Sequence, residues 1–166
     1  MNHDISETDG YVLNHTMLRI ADPARALAFY CDVLGFRLVT QLEFEQARFS
    51  LYFLQPRGHG DGSDGTPGQT FGPAGLLELT HNWGDEENGV TMHSGNTEPK
   101  GFGHICIAVP DIKAACDRFD AMGVTFQKRL GEGGMKEIAF IRDPDGYWIE
   151  VVQPDLMDAM VGDRRR

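Results

Sequence analysis

Two segments of this 166-residue chain place a histidine at the head of a short apolar run and an aspartate just after it. They are residues 14–22, NHTMLRIAD, with His15 and Asp22, and residues 101–111, GFGHICIAVPD, with His104 and Asp111. After each Asp a helical pattern runs to a glycine, Gly35 in one copy and Gly123 in the other. Repetition of this kind predicts two related modules. Each module also closes on a strand that carries a glutamate, Glu78 in LLELTHN and Glu150 in YWIEVV. Two imidazoles and two carboxylates suit a first-row divalent ion such as Zn, Ni, Co, Mn or Fe, with water in the remaining positions. Glu150 shares its strand face with Trp148 and Val152. An ionised carboxylate is costly to bury there without a partner, and a metal supplies one. The competing reading is four unconnected residues, two surface carboxylates and two hydrogen-bonded histidines, because the four are far apart and form no short motif such as HExxH.

The elements that must position these residues follow from periodicity. Residues 11–20 alternate as a strand, with His15, Met17 and Arg19 on one face and Thr16, Leu18 and Ile20 on the other. Asp22 and Pro23 then open a helix with an apolar stripe of Leu27, Tyr30, Cys31 and Leu34, and Gly35 stops it. Strands are expected at 36–43, 47–54 and 76–82, the last with Leu76, Glu78, Thr80 and Asn82 on one face. Residues 55–75 hold seven glycines and three prolines and read as a long surface loop. His59 within it, like His81 and His93, reads as structural or solvated. In the second copy His104, Cys106 and Ala108 share a face, and Asp111 caps a helix with the stripe Ile112, Ala115, Cys116, Phe119 and Met122. Strands follow at 124–128, 137–142 and 147–152, the last two joined by the DPDG turn. The glycines of GEGGMK (131–136) lack phosphate-loop spacing, so nucleotide binding is not expected.

The fold class is therefore α+β, with two paired βαβββ modules forming a cupped mixed sheet. The first module spans 11–82 with its insertion at 55–75, a connector spans 83–100, the second module 101–153, and a tail that could form a lid or arm 154–166. A formal charge of −10 opposes general nucleic-acid binding, with Arg164–Arg166 the sole basic run and read as a frayed tail. No apolar run approaches the roughly 18 residues of a membrane helix. The acidic N-terminus, MNHDISETDG, does not resemble a signal or transit peptide. Three cysteines, Cys31, Cys106 and Cys116, fit neither a disulfide framework nor a zinc knuckle, so reduced thiols and a cytoplasmic location are expected.

Taken together, NHTMLRIADPARALAFY, FSLYFL, LELTHNWG, GFGHICIAVPD and DPDGYWIEVVQP resemble glyoxalase I of the vicinal oxygen chelate superfamily, in the right order and over nearly the whole chain. The resemblance implies a homodimer with active sites at the subunit interface. It also implies isomerisation of the methylglyoxal–glutathione hemithioacetal to S-lactoylglutathione. Its metal ligands fall on His15, Glu78, His104 and Glu150, with Glu150 the main base and Glu78 its counterpart for the other substrate diastereomer. The human-like zinc enzymes share the mid-chain insertion but carry Gln where His15 stands, whereas the short bacterial nickel enzymes carry His. Zinc is favoured on the insertion and overall similarity, with nickel or cobalt as the alternative.

The chemistry moves a proton between neighbouring carbons through an enediolate, which needs a base and a means of holding charge on two oxygens. Arg19 and Asn82 share strand faces with His15 and Glu78, where they could reach a carboxylate and an amine beside a metal; by resemblance they hold the glutamyl end of glutathione. Arg19 lies in an apolar strand, where burying its charge unpaired is costly. Lys100 and Lys128 match further glutathione-contacting positions, with Lys100 replacing the usual Arg, and Gly133 belongs to the same substrate-binding set. By the same matching Phe44, Leu51, Phe53, Met135, Ile138 and Phe140 form the apolar pocket, although core packing explains any one of them equally well. An extradiol dioxygenase would use two His and one Glu, leaving Glu78 unexplained. An epimerase would not account for LELTHNWG. A metal-free binding dimer would give no reason for inward charged groups.

Overall fold

The computed structural model describes residues 8–56, 70–71 and 75–162. The expectations for His59, for most of the 55–75 loop, for residues 1–7 and for the arginine run at 164–166 lie outside the described residues.

Eight strands form two four-stranded sheets. The first contains β1 (His15–Ile20), β2 (Phe36–Phe44), β3 (Phe49–Pro56) and β4 (Leu76–Asn82), in the order β1-β4-β3-β2. The second contains β5 (His104–Ala108), β6 (Phe126–Lys128), β7 (Ala139–Arg142) and β8 (Trp148–Val152), in the order β5-β8-β7-β6. In each sheet the first and last strands of the module pair in parallel and the other pairings are antiparallel. A parallel pair needs a long crossover, and each module supplies it with a helix and two further strands. The β-α-β-β-β order predicted from the repeat is thus present twice.

Contacts divide the chain into Met1–Pro23 with Tyr30–Gly89, and Ala24–Phe29 with Val90–Arg166. The first helix therefore does not belong wholly with the first module, as its sequence position suggests. Arg25 donates to the Pro144 carbonyl at 3.4 Å, within the second unit. This helix, α1 (Pro23–Leu27), also runs directly into a π-helical turn, Ala28–Val33. An i→i+5 turn advances the apolar positions by one residue. Ala26, Phe29 and Tyr30 are consequently the buried residues, and Leu27, Cys31 and Leu34 are only half-buried.

The second helix, α2 (Ile112–Ala121), follows its pattern more closely. The Asp111 carboxylate accepts the Ala114 amide at 2.9 Å, the N-cap bond that the sequence predicts. Ile112, Cys116 and Phe119 are buried, but Met122 stands at the C-cap and is exposed. A third helix, α3 (Pro154–Gly162), occupies the segment expected as a lid or arm. Five strands start later than their composition suggests, at His15, Phe49, Phe126, Ala139 and Trp148. β3 begins at Phe49 because residues 45–48 form the hairpin turn, with Arg48 at φ 54°, and β6 shrinks to Phe126–Lys128.

The alternation of β8 puts Ile149 and Val151 in the core and leaves Trp148, Glu150 and Val152 on the opposite face. β1 does the same with Leu18 and Ile20 against His15, Met17 and Arg19. The connector before β5 is pinned by Gly95, whose amide carbonyl accepts from Gly101 at 3.0 Å, and by Asn96, which donates to the Gly103 carbonyl at 2.7 Å. Gly95 has φ +80°, and a Cβ there would fall onto the backbone of Phe102. Only glycine meets both demands.

Candidate active site

Each unit carries one imidazole–carboxylate pair on the open face of its sheet. In the first, the parallel register sets His15 against Leu76 and Met17 against Glu78. His15 thus reaches its carboxylate diagonally, with Nε2 3.1 Å from Glu78 Oε2. The other oxygen, Oε1, accepts from the Thr80 hydroxyl at 2.9 Å. Glu78 is only 9% exposed, so this bond offsets part of its desolvation. His15 Nδ1 lies 2.6 Å from the Asn14 side-chain oxygen, and the Asn14 amide nitrogen donates to the Thr70 carbonyl at 3.2 Å.

The second unit repeats the pair. His104 stands against Trp148 and Cys106 against Glu150, and His104 Nε2 is 3.3 Å from Glu150 Oε2. A third residue repeats with them. Phe53 is in register with Glu78 and its ring lies edge-on to His15 at 5.5 Å; Phe140 is in register with Glu150 and edge-on to His104 at 5.2 Å. Each imidazole is therefore wedged between a carboxylate and a phenyl ring, which restricts its rotation.

The structure brings the four candidate ligands together two by two. Among the described residues no group of three or more His, Cys, Asp or Glu side chains stands together as a metal-binding set. Each pair nonetheless fits a divalent ion. Ligands about 2.0–2.2 Å from one ion sit about 3.0–3.4 Å from each other, and the 3.1 and 3.3 Å separations match that spacing. Nitrogen and carboxylate oxygen are also donors that such ions accept. Cys106 is in register with Glu150; in the metal-free chain partial desolvation pushes its thiol up to about 11, and the Glu150 charge and hydrogen bond add to the shift.

The other candidate residues distribute around these faces. Leu51 pairs with Thr80 and with Leu42, and Phe44 stacks on Phe49 at 4.6 Å, so Phe44, Leu51 and Phe53 line the face that carries Glu78. Phe140 lies on the corresponding face of the second sheet, with Lys128 in register beside it. The Lys128 ammonium donates to the Met135 and Ile138 carbonyls at 2.6 and 2.7 Å, which fastens the loop containing Gly133 to the sheet. Ile138 is wholly buried, whereas Met135 is exposed. Arg19 is exposed four residues beyond His15 on the same strand face, in register with Thr80, so desolvation is no argument for a partner there, and what remains is its position on the face. Asn82 is exposed at the end of β4 and donates to Asp85 at 3.3 Å. Lys100 is exposed in the connector, 3.7 Å from Glu98.

Two polar residues of the site escape a reading of the sequence. Thr80 could be found from its place two residues beyond Glu78 on the same face. Asn14 carries no signal except adjacency to His15. The motif LELTHNWG also has a structural share. His81 is buried and bonds Glu86 at 2.7 Å, which ties the following turn to β4, and the Trp83 indole donates to Ser50 at 2.8 Å, which anchors the end of β4 to β3.

Comparison with known proteins places this architecture. The family model described as Glyoxalase/Bleomycin resistance protein/Dioxygenase superfamily matches residues 12–151. A lactoylglutathione lyase of Pseudomonas aeruginosa is 55% identical over 156 residues, covering 92% of this chain and 88% of that protein. One from Pseudomonas putida is 52% identical over 151 residues, covering 89% and 87%. Among solved structures, the trypanothione-dependent glyoxalase I of Leishmania major superposes with a TM-score of 0.69 at 27% identity, covering 92% of this chain and 94% of that one. With its two βαβββ modules and matching His–Glu pairs, the chain belongs to the glyoxalase superfamily and, within it, to the lactoylglutathione lyases, the glyoxalase I enzymes.

Proposed function

We infer that the protein isomerises the hemithioacetal of methylglyoxal and glutathione to S-lactoylglutathione, with His15, Glu78, His104 and Glu150 as the ligands of one divalent ion per active site. The observation that carries this is the recurrence, in both units, of an imidazole nitrogen and a carboxylate oxygen 3.1 and 3.3 Å apart. Each pair supplies two donors, and the two pairs together supply four, leaving the remaining positions of such an ion to water or substrate oxygens. When bound, the ion acts as a Lewis acid that stabilises negative charge on the substrate oxygens. Zinc is favoured, with nickel or cobalt as the alternative.

The residues divide the remaining work. Glu150 takes the proton from one carbon of the hemithioacetal and returns it to the next, by way of an enediolate. Glu78 serves the other diastereomer. Glu78 is the more tightly held of the two, since Thr80 engages its second oxygen and its side chain is 12% exposed against 19% for Glu150. This supports Glu150 as the principal base. Arg19 and Asn82 hold the glutamyl end of glutathione, and Lys100, Lys128 and Gly133 contribute to its binding. Phe44, Leu51, Phe53, Met135 and Phe140 receive the substituent of the aldehyde.

The assembly is a homodimer in the cytoplasm, in which one His–Glu pair of each kind completes each site. The three free thiols, Cys31, Cys106 and Cys116, are in keeping with a reducing compartment, and no helix among the described residues is long and apolar enough to cross a membrane. The functional modules run from 11–82 and 101–153. The test is direct: the protein is incubated with methylglyoxal and glutathione after loading with Zn, Ni, Co or Mn in turn. Thioester formation, with S-lactoylglutathione as product, is expected with at least one metal. Absence of thioester with all four contradicts the reading.

A further inference from the structure

His15 and His104 occupy equivalent places in the repeat, yet among the described residues only His15 has a side-chain partner on its outer ring nitrogen. The Asn14 side-chain oxygen sits 2.6 Å from His15 Nδ1. In the second copy the equivalent position is Gly103, which has no side chain to offer. The orientation of the Asn14 amide is itself determined. A backbone carbonyl can only accept, so the Thr70 carbonyl at 3.2 Å takes the Asn14 NH2 group and leaves the amide oxygen turned to His15. Thr70 is fully buried, and its hydroxyl lies 2.6 Å from that of Thr40 on β2, so this carbonyl is held by the sheet. The Asn14 backbone is fixed as well, its carbonyl accepting from Leu76 at 2.8 Å.

An amide oxygen cannot donate, so His15 Nδ1 must carry the proton in this contact. In a neutral ring the lone pair is then on Nε2, facing Glu78 Oε2 at 3.1 Å. A lone pair set against a carboxylate oxygen at that distance is relieved by a proton on Nε2 or by a divalent ion that takes both donors, and either leaves Nδ1–H toward Asn14. We propose that Asn14, held by Thr70 and Thr40, is a positioning residue that fixes His15 as the Nδ1–H tautomer and so presents its Nε2 lone pair, with Glu78, to a divalent cation. The partner that holds a ligating imidazole sets its tautomer and raises its basicity, and removal of such a partner typically weakens metal binding about 10- to 100-fold. The inference rests on His15 being a metal ligand, and it predicts that the two histidines differ in how firmly their tautomers are set.

The test uses the full chain labelled with 15N at histidine, with zinc affinity measured by competition against a chromophoric chelator. In wild-type protein, long-range 1H–15N spectra are expected to show His15 as the Nδ1–H form both without metal at a pH where the ring is neutral and with zinc bound. Asn14→Leu removes the acceptor and is expected to weaken zinc binding about 10- to 100-fold and to populate the other tautomer. Asn14→Asp keeps an acceptor toward Nδ1 but loses the donor to the Thr70 carbonyl, so it is expected to retain the tautomer and to bind zinc more tightly than Asn14→Leu. His15→Ala separates the two ideas: unchanged zinc affinity in that variant contradicts His15 as a ligand. Weakened binding in His15→Ala beside wild-type affinity and tautomer in Asn14→Leu overturns the role of Asn14. Should Asn14→Leu not fold, the wild-type spectrum decides alone, because an Nε2–H ring at His15 overturns the proposal without any substitution.

Discussion

The Thr80 hydroxyl donates to one oxygen of Glu78 at 2.9 Å, two positions further along the same strand face, while the other oxygen faces His15. Thr80→Val keeps the β-branched shape that the strand accommodates and removes only this donor. One oxygen of a carboxylate that is nearly excluded from water then lacks a partner. The variant is expected to lose about 1–3 kcal/mol of stability in the metal-free state, and denaturant unfolding measures it. Coincident unfolding midpoints for variant and wild type would show that the hydroxyl contributes nothing to holding Glu78.

Glu150 carries the proton transfer in the proposed mechanism. Glu150→Gln preserves shape and removes the base, so turnover is expected to fall by several orders of magnitude, beyond the roughly 10²–10⁴-fold of general base catalysis alone because the same side chain is also a proposed ligand. The circular dichroism spectrum and melting temperature should stay close to wild type. Turnover within tenfold of wild type in the metal-loaded variant would remove Glu150 from this role.

Much of this arrangement can be read from the residues, and the reason is the duplication. Two histidines at equivalent points of equivalent strands, and two glutamates on the closing strands, predict both the βαβββ order and the pairing of each His with its Glu. What the residues did not disclose comes from three-dimensional detail that alternation does not encode. The π-helical turn at Ala28–Val33 keeps Tyr30 of the expected stripe buried but adds Phe29 and leaves Leu27, Cys31 and Leu34 half-buried. Arg19, read as a charge within an apolar strand, turns out exposed, because the strand's alternation places Leu18 and Ile20 inward instead. Asn14 and Thr70 are far apart in the chain and meet only through the fold. No periodicity marks either of them.

Gly95 is a sharper case of a backbone requirement. Gly95→Ala places a Cβ on the Phe102 backbone at a φ that disfavours side chains, two residues before His104. The variant is expected to lose more than about 1 kcal/mol of stability and to bind metal more weakly through displacement of β5. Thermal unfolding and zinc competition check both parts. Wild-type values in both would mean that the connector adapts without cost.

His81 and Glu86 predict a pH signature. The Glu86 backbone amide and, next, the His81 hydrogen bond hold this carboxyl below its ordinary value of 4.5. A carboxyl whose folded value is depressed adds stability that is fully present above the unfolded value and fades as pH falls through the folded one. Comparing wild type with Glu86→Gln across pH should therefore give a stability gap above pH 4.5 that closes at lower pH. A gap that persists unchanged into acid would show that the depression is not the source of any difference.

In the proposed site the two His–Glu pairs together hold one ion. Zinc titration calorimetry of the chelator-stripped protein tests it most directly, with the wild type compared with a His15→Ala/Glu78→Gln variant and a His104→Ala/Glu150→Gln variant. One zinc per chain is expected in the wild type and loss of that site in both variants, since neither pair alone supplies four donors. A variant that lacks either pair and still binds one zinc per chain with wild-type affinity would contradict it.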